Sequence, residues 1–292
     1  MSAPLKNVAI VDPSSHPPPP SPSQSYPAPP QPPHSPPKSA SSKANTTPQF
    51  LEESFAGIDA VILTVGAAAL GEQRNFVDAA GKAGVRRIVP SEFGGDTRNP
   101  VLLAASPMFA GRAELVKYIK EVVAEHPGLT WTSVITGPFY DWCLGLGYFS
   151  FDLENKKATL FDGGKGEFST VLAALLSQPD KYVNDYLYLS SFTSQTEIFA
   201  ALKKASGTKD SDWSIENRSV EEHMKAGNER FAKGDTHGLW DVVFGTIVGG
   251  SKFGSDYAKG RKIGNSELGI EKEDIESVTK EVSEGNRHVA KW

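Results

Sequence analysis

The residues placed to do chemistry fall in short stretches that follow apolar runs. Thr64-Val65-Gly66 ends the run Asp59-Ala60-Val61-Ile62-Leu63, and Pro90-Ser91-Glu92-Phe93 ends a second run that starts at Val85. A third run, Thr130-Trp131-Thr132-Ser133-Val134-Ile135, ends at Gly137-Pro138. Each stretch sits at the C-terminal end of an expected strand, which is where open α/β sheets bind ligands. Hydroxyls, backbone groups and one carboxylate at such ends suit the holding of a polar cofactor. Glu92 can accept hydrogen bonds, but a general base needs a partner within reach and none stands beside it.

Several other kinds of chemistry are excluded. There is no G-x-x-x-x-G-K-[ST] phosphate loop, no H-E-x-x-H zinc pair and no G-x-S-x-G nucleophile elbow. No tyrosine is followed four residues later by lysine, and no two of the six histidines share a metal-ligand spacing. The single cysteine, Cys143, excludes an intramolecular disulfide and a thiolate zinc cluster, and it reads as a small buried hydrophobe. A net charge of −5 with no basic patch offers nucleic acid nothing to bind. No apolar run reaches membrane-spanning length, so the expectation is a cytoplasmic protein in a reducing compartment with no membrane contact.

The elements that must position these stretches alternate. Lys6-Asn7-Val8-Ala9-Ile10-Val11 reads as a buried parallel strand. Thr46, three residues before Gln49, has capping-box spacing and opens a helix over 48–56, with Gly57 beyond it. Strands are expected at 59–65, 85–90 and 130–135, with helices at 71–83 and 107–124 between them. Further strands are expected near 158–161, 186–189 and 213–216, and helices at 195–205, 220–232, 239–248 and 271–282. Gly145-Leu146-Gly147 reads as loop glycine. The pattern is that of an α/β protein: a Rossmann-like parallel sheet with helices on both faces, incomplete in its N-terminal half, plus a smaller C-terminal substrate region.

The incompleteness lies in one interval. Of 21 prolines, most fall before residue 49, and residues 12–43 are nearly all Pro, Ser, Ala, Gln and His. Such a segment buries too little apolar surface to offset its ordering entropy, and proline removes backbone donors, so residues 12–47 are expected to be disordered or polyproline-like. This divides the chain into an isolated first strand (1–11), the proline-rich segment (12–47) and a folded domain (48–292). After Val8–Val11 a dinucleotide-binding sheet needs G-x-G-x-x-G opening a helix, so that the backbone can approach the pyrophosphate. No G-x-G-x-x-G occurs anywhere in the chain.

The stretch from Phe55-Ala56-Gly57 through Thr64-Val65-Gly66 resembles fungal NmrA-like and isoflavone-reductase-like proteins, which are atypical short-chain reductases. Gly71-Glu72-Gln73, Asp78-Ala79-Ala80, Gly84-Val85-Arg86-Arg87, Val89-Pro90-Ser91-Glu92-Phe93-Gly94 and Thr136-Gly137-Pro138-Phe139-Tyr140-Asp141-Trp142 continue the resemblance in order. It implies an enzyme that binds NADP(H), reduces a small aromatic or phenolic molecule, and carries a substrate region at about 141–165 and 207–292. A regulatory branch of the same family implies the alternative, a non-catalytic dinucleotide sensor acting through a protein partner. By resemblance, Thr64, Val65 and Gly66 form the nicotinamide-side wall. Gln73 faces the cofactor loop, Pro90, Ser91 and Phe93 close the next strand end, and Phe139 lies against the nicotinamide ring. The family's catalytic lysine position is Arg112 here. Arginine keeps the charge but cannot lose its proton near neutral pH, so it can orient or polarise a substrate but not shuttle protons. Lys117, a turn and a half further on, is a weak substitute.

Two intervals depart from the family pattern. Between the first strand and Phe55-Ala56-Gly57, where the family has its glycine loop, a helix and two strands, this chain has the proline-rich tract. Its abrupt boundaries read as out-of-frame or intronic sequence, or as a lesion in the gene. After Phe168-Ser169-Thr170 the chain passes almost directly to 171–179, without the family's short helix. Loss of the loop's backbone donors and helix-end charge implies weak dinucleotide affinity, and a sheet short of strands leaves Val8–Val11 at an edge and lowers stability.

Overall fold

The computed structural model describes residues 5–11, 47–170, 181–270 and 274–287. The proline-rich interval and residues 171–180 lie outside the described residues, and so do the expectations that fall on them.

In chain order the elements are β1 (Val8–Val11), α1 (Pro48–Phe55), β2 (Ala60–Leu63), α2 (Gln73–Lys82), β3 (Arg87–Val89), α3 (Pro100–Ala105), α4 (Pro107–Glu125), β4 (Thr130–Ile135) and α5 (Tyr140–Gly145). There follow β5 (Phe151–Asp152), β6 (Lys157–Phe161), β7 (Phe168–Thr170), β8 (Asp185–Tyr188), β9 (Ser191–Thr193), α6 (Gln195–Ser206), β10 (Ser214–Arg218), α7 (Val220–Ala232), α8 (His237–Val248) and α9 (Ile275–Ser283). Among the described residues no helix is long and apolar enough to cross a membrane.

The main sheet is five-stranded and parallel, in the order β1-β2-β3-β4-β8. The apolar runs explain it: in β4 every residue after Thr130 is buried, as a strand covered on both faces must be. On one face Val61, Leu63, Ile88 and Ile135 meet Leu51 and Phe55 of α1, Phe76 and Val77 of α2, and Leu115 and Ile119 of α4. On the other, Val89, Val134, Leu187 and Leu189 meet Phe93, Tyr182, Leu268 and Ile270. That second cover, among the described residues, is a loop and a short 3-10 turn at Ser266–Leu268 and not a helix. The strand order runs in one direction, so the described sheet has no point at which it reverses.

A second apolar cluster holds the C-terminal region together. Tyr140, Phe149, Phe151, Phe161, Phe168, Ile198 and Leu202 are buried in it, with a three-stranded sheet β10-β6-β5 and the pair β7-β9 alongside. Several local expectations shift. The cap of α1 is Thr47, whose side chain accepts from the Phe50 amide, while Gln49 donates to Glu53 instead of closing a capping box. The helix expected from residue 71 opens as a 3-10 turn, Ala67–Glu72, before α2. Gly145 is the last residue of α5 and not a loop residue. The helix α3 carries no long apolar stripe to announce it; Asn99 caps it by accepting from the Val101 amide, and Pro100 begins it.

Candidate active site at the strand ends

The C-terminal ends of β1, β2, β3 and β4 lie side by side, and Val65, Gln73 and Ser91 meet there. Thr64 closes over β1: its amide and hydroxyl both donate to the Val11 carbonyl, at 2.9 and 3.1 Å. Val65 is buried, and its carbonyl accepts the Ser91 hydroxyl at 2.8 Å. The Ser91 amide in turn donates to the Gln73 side-chain oxygen at 2.9 Å. Thus β2, β3 and the first turn of α2 are tied by one buried chain of hydrogen bonds. Gln73 is fully buried and its amide nitrogen has no partner, so one donor remains on offer beside the strand ends. Gly66 begins the 3-10 turn with an ordinary negative φ.

The next strand end is tightly folded. Pro90 accepts from the Glu92 amide at 2.8 Å, and Phe93 adopts φ +30, a region costing a non-glycine residue roughly 1–3 kcal/mol. The strain turns the half-buried Phe93 ring down among Val89, Val134 and Leu187. Gly94 is closely approached: a Cβ there would sit 3.0 Å from a guanidinium nitrogen of Arg112 and 3.2 Å from the Glu92 carbonyl oxygen, so a side chain would need Arg112 to give way slightly. Phe139, 43% exposed, stands just before α5 at the neighbouring strand end.

Arg112 rises from the first turns of α4 beneath this loop and donates through Nη1 to the Glu92 carbonyl at 2.7 Å, while its Nε is buried without a partner. Its first role is therefore to hold the loop that carries Glu92 and Phe93. Lys117 is exposed on α4. The Glu92 carboxyl, 1% exposed, points inward and accepts the Ser133 hydroxyl of β4. Burial pushes it up to about 7, against the opposing pull of the Ser133 and Thr97 hydroxyls and the Arg112 charge.

Sequence reasoning missed the network behind this loop. Asp96 accepts the Tyr188 hydroxyl at 2.8 Å and is bridged by Arg261 at 2.8 and 2.7 Å. Arg98 donates to the same tyrosine oxygen at 2.9 and 2.7 Å, and the Tyr257 hydroxyl donates to the Gly94 carbonyl at 3.2 Å. These partners lie some ninety to 165 positions apart, so no local spacing announces them. Also unforeseen is a half-buried aromatic surface beside α4: Trp142 stacks on Tyr148 at 5.3 Å, and Tyr148 stands 6.5 Å from Trp240, which packs against the cluster of Leu102, Phe109 and Val243. A groove of about 700 Å³ opens elsewhere, between α3 and α7, and shares no residue with the strand ends. Among the described residues no cluster of His, Cys, Asp or Glu could hold a metal ion.

A parallel α/β sheet whose polar residues gather at the C-terminal strand ends defines the open α/β class of fold, which binds its ligands there. Comparison narrows it. The NmrA-like family model matches residues 41–226. An oxidoreductase of Aspergillus flavus, aprR, is 32% identical over 244 residues, covering 80% of each chain. The chain belongs to the NmrA-like family. Among solved structures, leucoanthocyanidin reductase from Vitis vinifera in its binary complex with NADPH superposes with a TM-score of 0.63 at 16% identity, covering 81% of this chain and 82% of that one. Triphenylmethane reductase from Citrobacter sp. complexed with NADP(H) superposes at 0.56 and 17% identity, covering 81% of each chain.

The family implies a nicotinamide dinucleotide, and the residues present do not fit its pyrophosphate. No glycine precedes Gly57. No reversal of strand order makes a crevice in the described sheet.

Proposed function

We propose that this chain is an NADPH-dependent reductase of the isoflavone-reductase-like type that acts on a small aromatic or phenolic molecule and holds its dinucleotide weakly. The observation that carries the reading is the buried chain Val65–Ser91–Gln73 at the strand ends, with Arg112 holding the adjoining loop through the Glu92 carbonyl. The aromatic surface of Trp142, Tyr148 and Trp240 supports a flat apolar substrate. In this reading Arg112 orients and polarises a substrate oxygen with its fixed positive charge. It releases no proton: burial lowers its affinity for protons, but guanidinium stays charged near neutral pH. The backbone donors that would grip a pyrophosphate are missing, so affinity for NADPH falls below that of an intact family member.

One observation favours a second reading. The Nη1 bond from Arg112 to the Glu92 carbonyl gives the residue a structural task at the position of the family lysine. That suits a dinucleotide sensor acting through a protein partner without turnover. Titration calorimetry with NADPH, paired with NADPH oxidation in the presence of aromatic carbonyl and enol-ether compounds, separates the two. The reductase reading expects binding weaker than micromolar, slow turnover at saturating NADPH, and faster turnover in Arg112→Lys with unchanged affinity. Binding with no turnover in either protein overturns it in favour of the sensor. Micromolar binding overturns the weak grip.

A further inference from the structure

The main sheet has two edges, and they are finished differently. Beyond β8 the chain returns to cover the edge: Ile263 bridges Tyr188, the Gly264 amide donates to the Tyr188 carbonyl at 2.8 Å, and the Asn265 side chain bonds both the amide and the carbonyl of Ser190. Beyond β1 the described residues supply nothing of the kind, for β1 pairs with β2 alone. The carbonyls of Asn7 and Val11 turn toward β2. Strand alternation therefore turns the N–H and C=O groups of Val8 and Ile10 outward.

The side chains compound this. Val8 and Ile10 lie on one face, 48% and 67% exposed, in register with Ala60 and Ile62. Native edges are commonly blunted by lysine, proline or a bulge, and Val8-Ala9-Ile10-Val11 has none of them. The chain's own connection is poorly suited to cover the edge. Residues 12–49 contain no Val, Ile, Leu, Met, Phe or Trp, and their many prolines lack the N–H that a ladder needs.

The geometry points to a second copy of this chain as the occupant, its β1 pairing antiparallel with this one about a two-fold axis at Ala9. In that register Val8 faces Ile10 of the second copy and Ile10 faces its Val8. Each facing pair exchanges both backbone hydrogen bonds. Ala9 then meets its own mate at the close spacing of a non-hydrogen-bonded pair, about 4.5 Å between Cα atoms, which a small side chain tolerates. The outward-facing residues need a strand and not merely an apolar surface, and the same segment satisfies both sides at once, as a two-fold contact requires. The joint is short and buries less than the roughly 800 Å² per partner of a standard interface, so the dimer depends on concentration.

Sedimentation velocity on the full chain, from low to high micromolar, tests this. The mass should rise from that of the 31.4 kDa monomer and level off at the dimer. Ile10→Pro removes an outward amide and the exposed Ile10 side chain and spares the hydrogen bonds to β2, and it should weaken association at least about tenfold with an unchanged circular-dichroism spectrum. Hydrogen exchange of the wild-type protein gives a reading that needs no variant: the Val8 and Ile10 amides should become protected as concentration rises. The proposal fails if the chain stays monomeric throughout, if assembly passes the dimer without levelling, or if Ile10→Pro dimerises as well as the wild type. Protection of those two amides already complete in the dilute monomer also overturns it, and assigns the edge to the chain itself.

Discussion

The two outer strands of the main sheet, β1 and β8, are both four residues long and parallel to their neighbours, yet they stand in opposite environments. Leu187 of β8 is 1% exposed between β4 and the returning segment 263–270, whereas Ile10 of β1 is 67% exposed. The composition of the strands does not produce this difference. It arises because later chain returns to one edge, while the interval that would flank the other is proline-rich and nearly free of apolar residues. A strand is buried only when the sequence supplies a neighbour for it.

The comparison breaks first at those two positions. Leu187→Ala should destabilise the protein by about 3 to 4 kcal/mol, because it removes transferred apolar surface and leaves a cavity. Ile10→Ala, measured at a dilution where the chain is monomeric, should change stability by no more than about 0.5 kcal/mol. Urea unfolding of the two variants checks this. Comparable losses at both would show that β1 has a cover on its outer side.

A slightly smaller effect belongs to the well-anchored strand ends. Glu92 is almost wholly buried and its carboxyl is raised from 4.5 to about 7, so the folded state favours the protonated form. The stability this confers is fully present below the unfolded value near 4.5 and is lost as pH rises through about 7. Wild-type stability should fall by on the order of 3 kcal/mol across that window relative to Glu92→Gln, whose profile should lack the decline. Thermal unfolding from pH 4.5 to pH 8 reads it. A wild-type profile parallel to that of Glu92→Gln would mean that the carboxyl is solvated.

The smallest effect concerns the tether of β1. Asp59 accepts the Lys6 and Asn7 amides at 2.8 and 2.9 Å, and those bonds, that from Asn7 foremost, hold its carboxyl below the usual carboxylate range. The tether is therefore present at neutral pH and released only as pH falls below the ordinary aspartate range. Asp59→Asn should speed exchange of those two amides and leave the β3 and β4 amides unchanged. Global acceleration would instead mark β1 as part of the cooperative core.

Much of the fold was legible because it rests on local pattern. The alternation of β-branched runs with helical stripes located β2, β3, β4, α2 and α4 to within a few residues, since those runs are buried by the helices beside them. The candidate site was legible in part. Thr64, Val65, Ser91 and Gln73 lie together because strand ends in a parallel sheet lie together. Phe93 and Arg112 were named for ligand contact, and the structure gives each a packing or loop-holding task besides. The Asp96, Arg261 and Tyr188 network could not be read, because its members are joined by distance in space alone.

The sequence by itself determined the α/β alternation, the missing glycine loop and the arginine at position 112, since each is a matter of residue type and short-range order. Only the tertiary structure decided that Arg112 grips the Glu92 carbonyl, that Glu92 is sealed from water, and that one edge of the sheet is covered while, among the described residues, the other has no neighbour. Those outcomes depend on which distant segments come into contact, and burial, the quantity that sets charge and exposure at each position, exists only once they have.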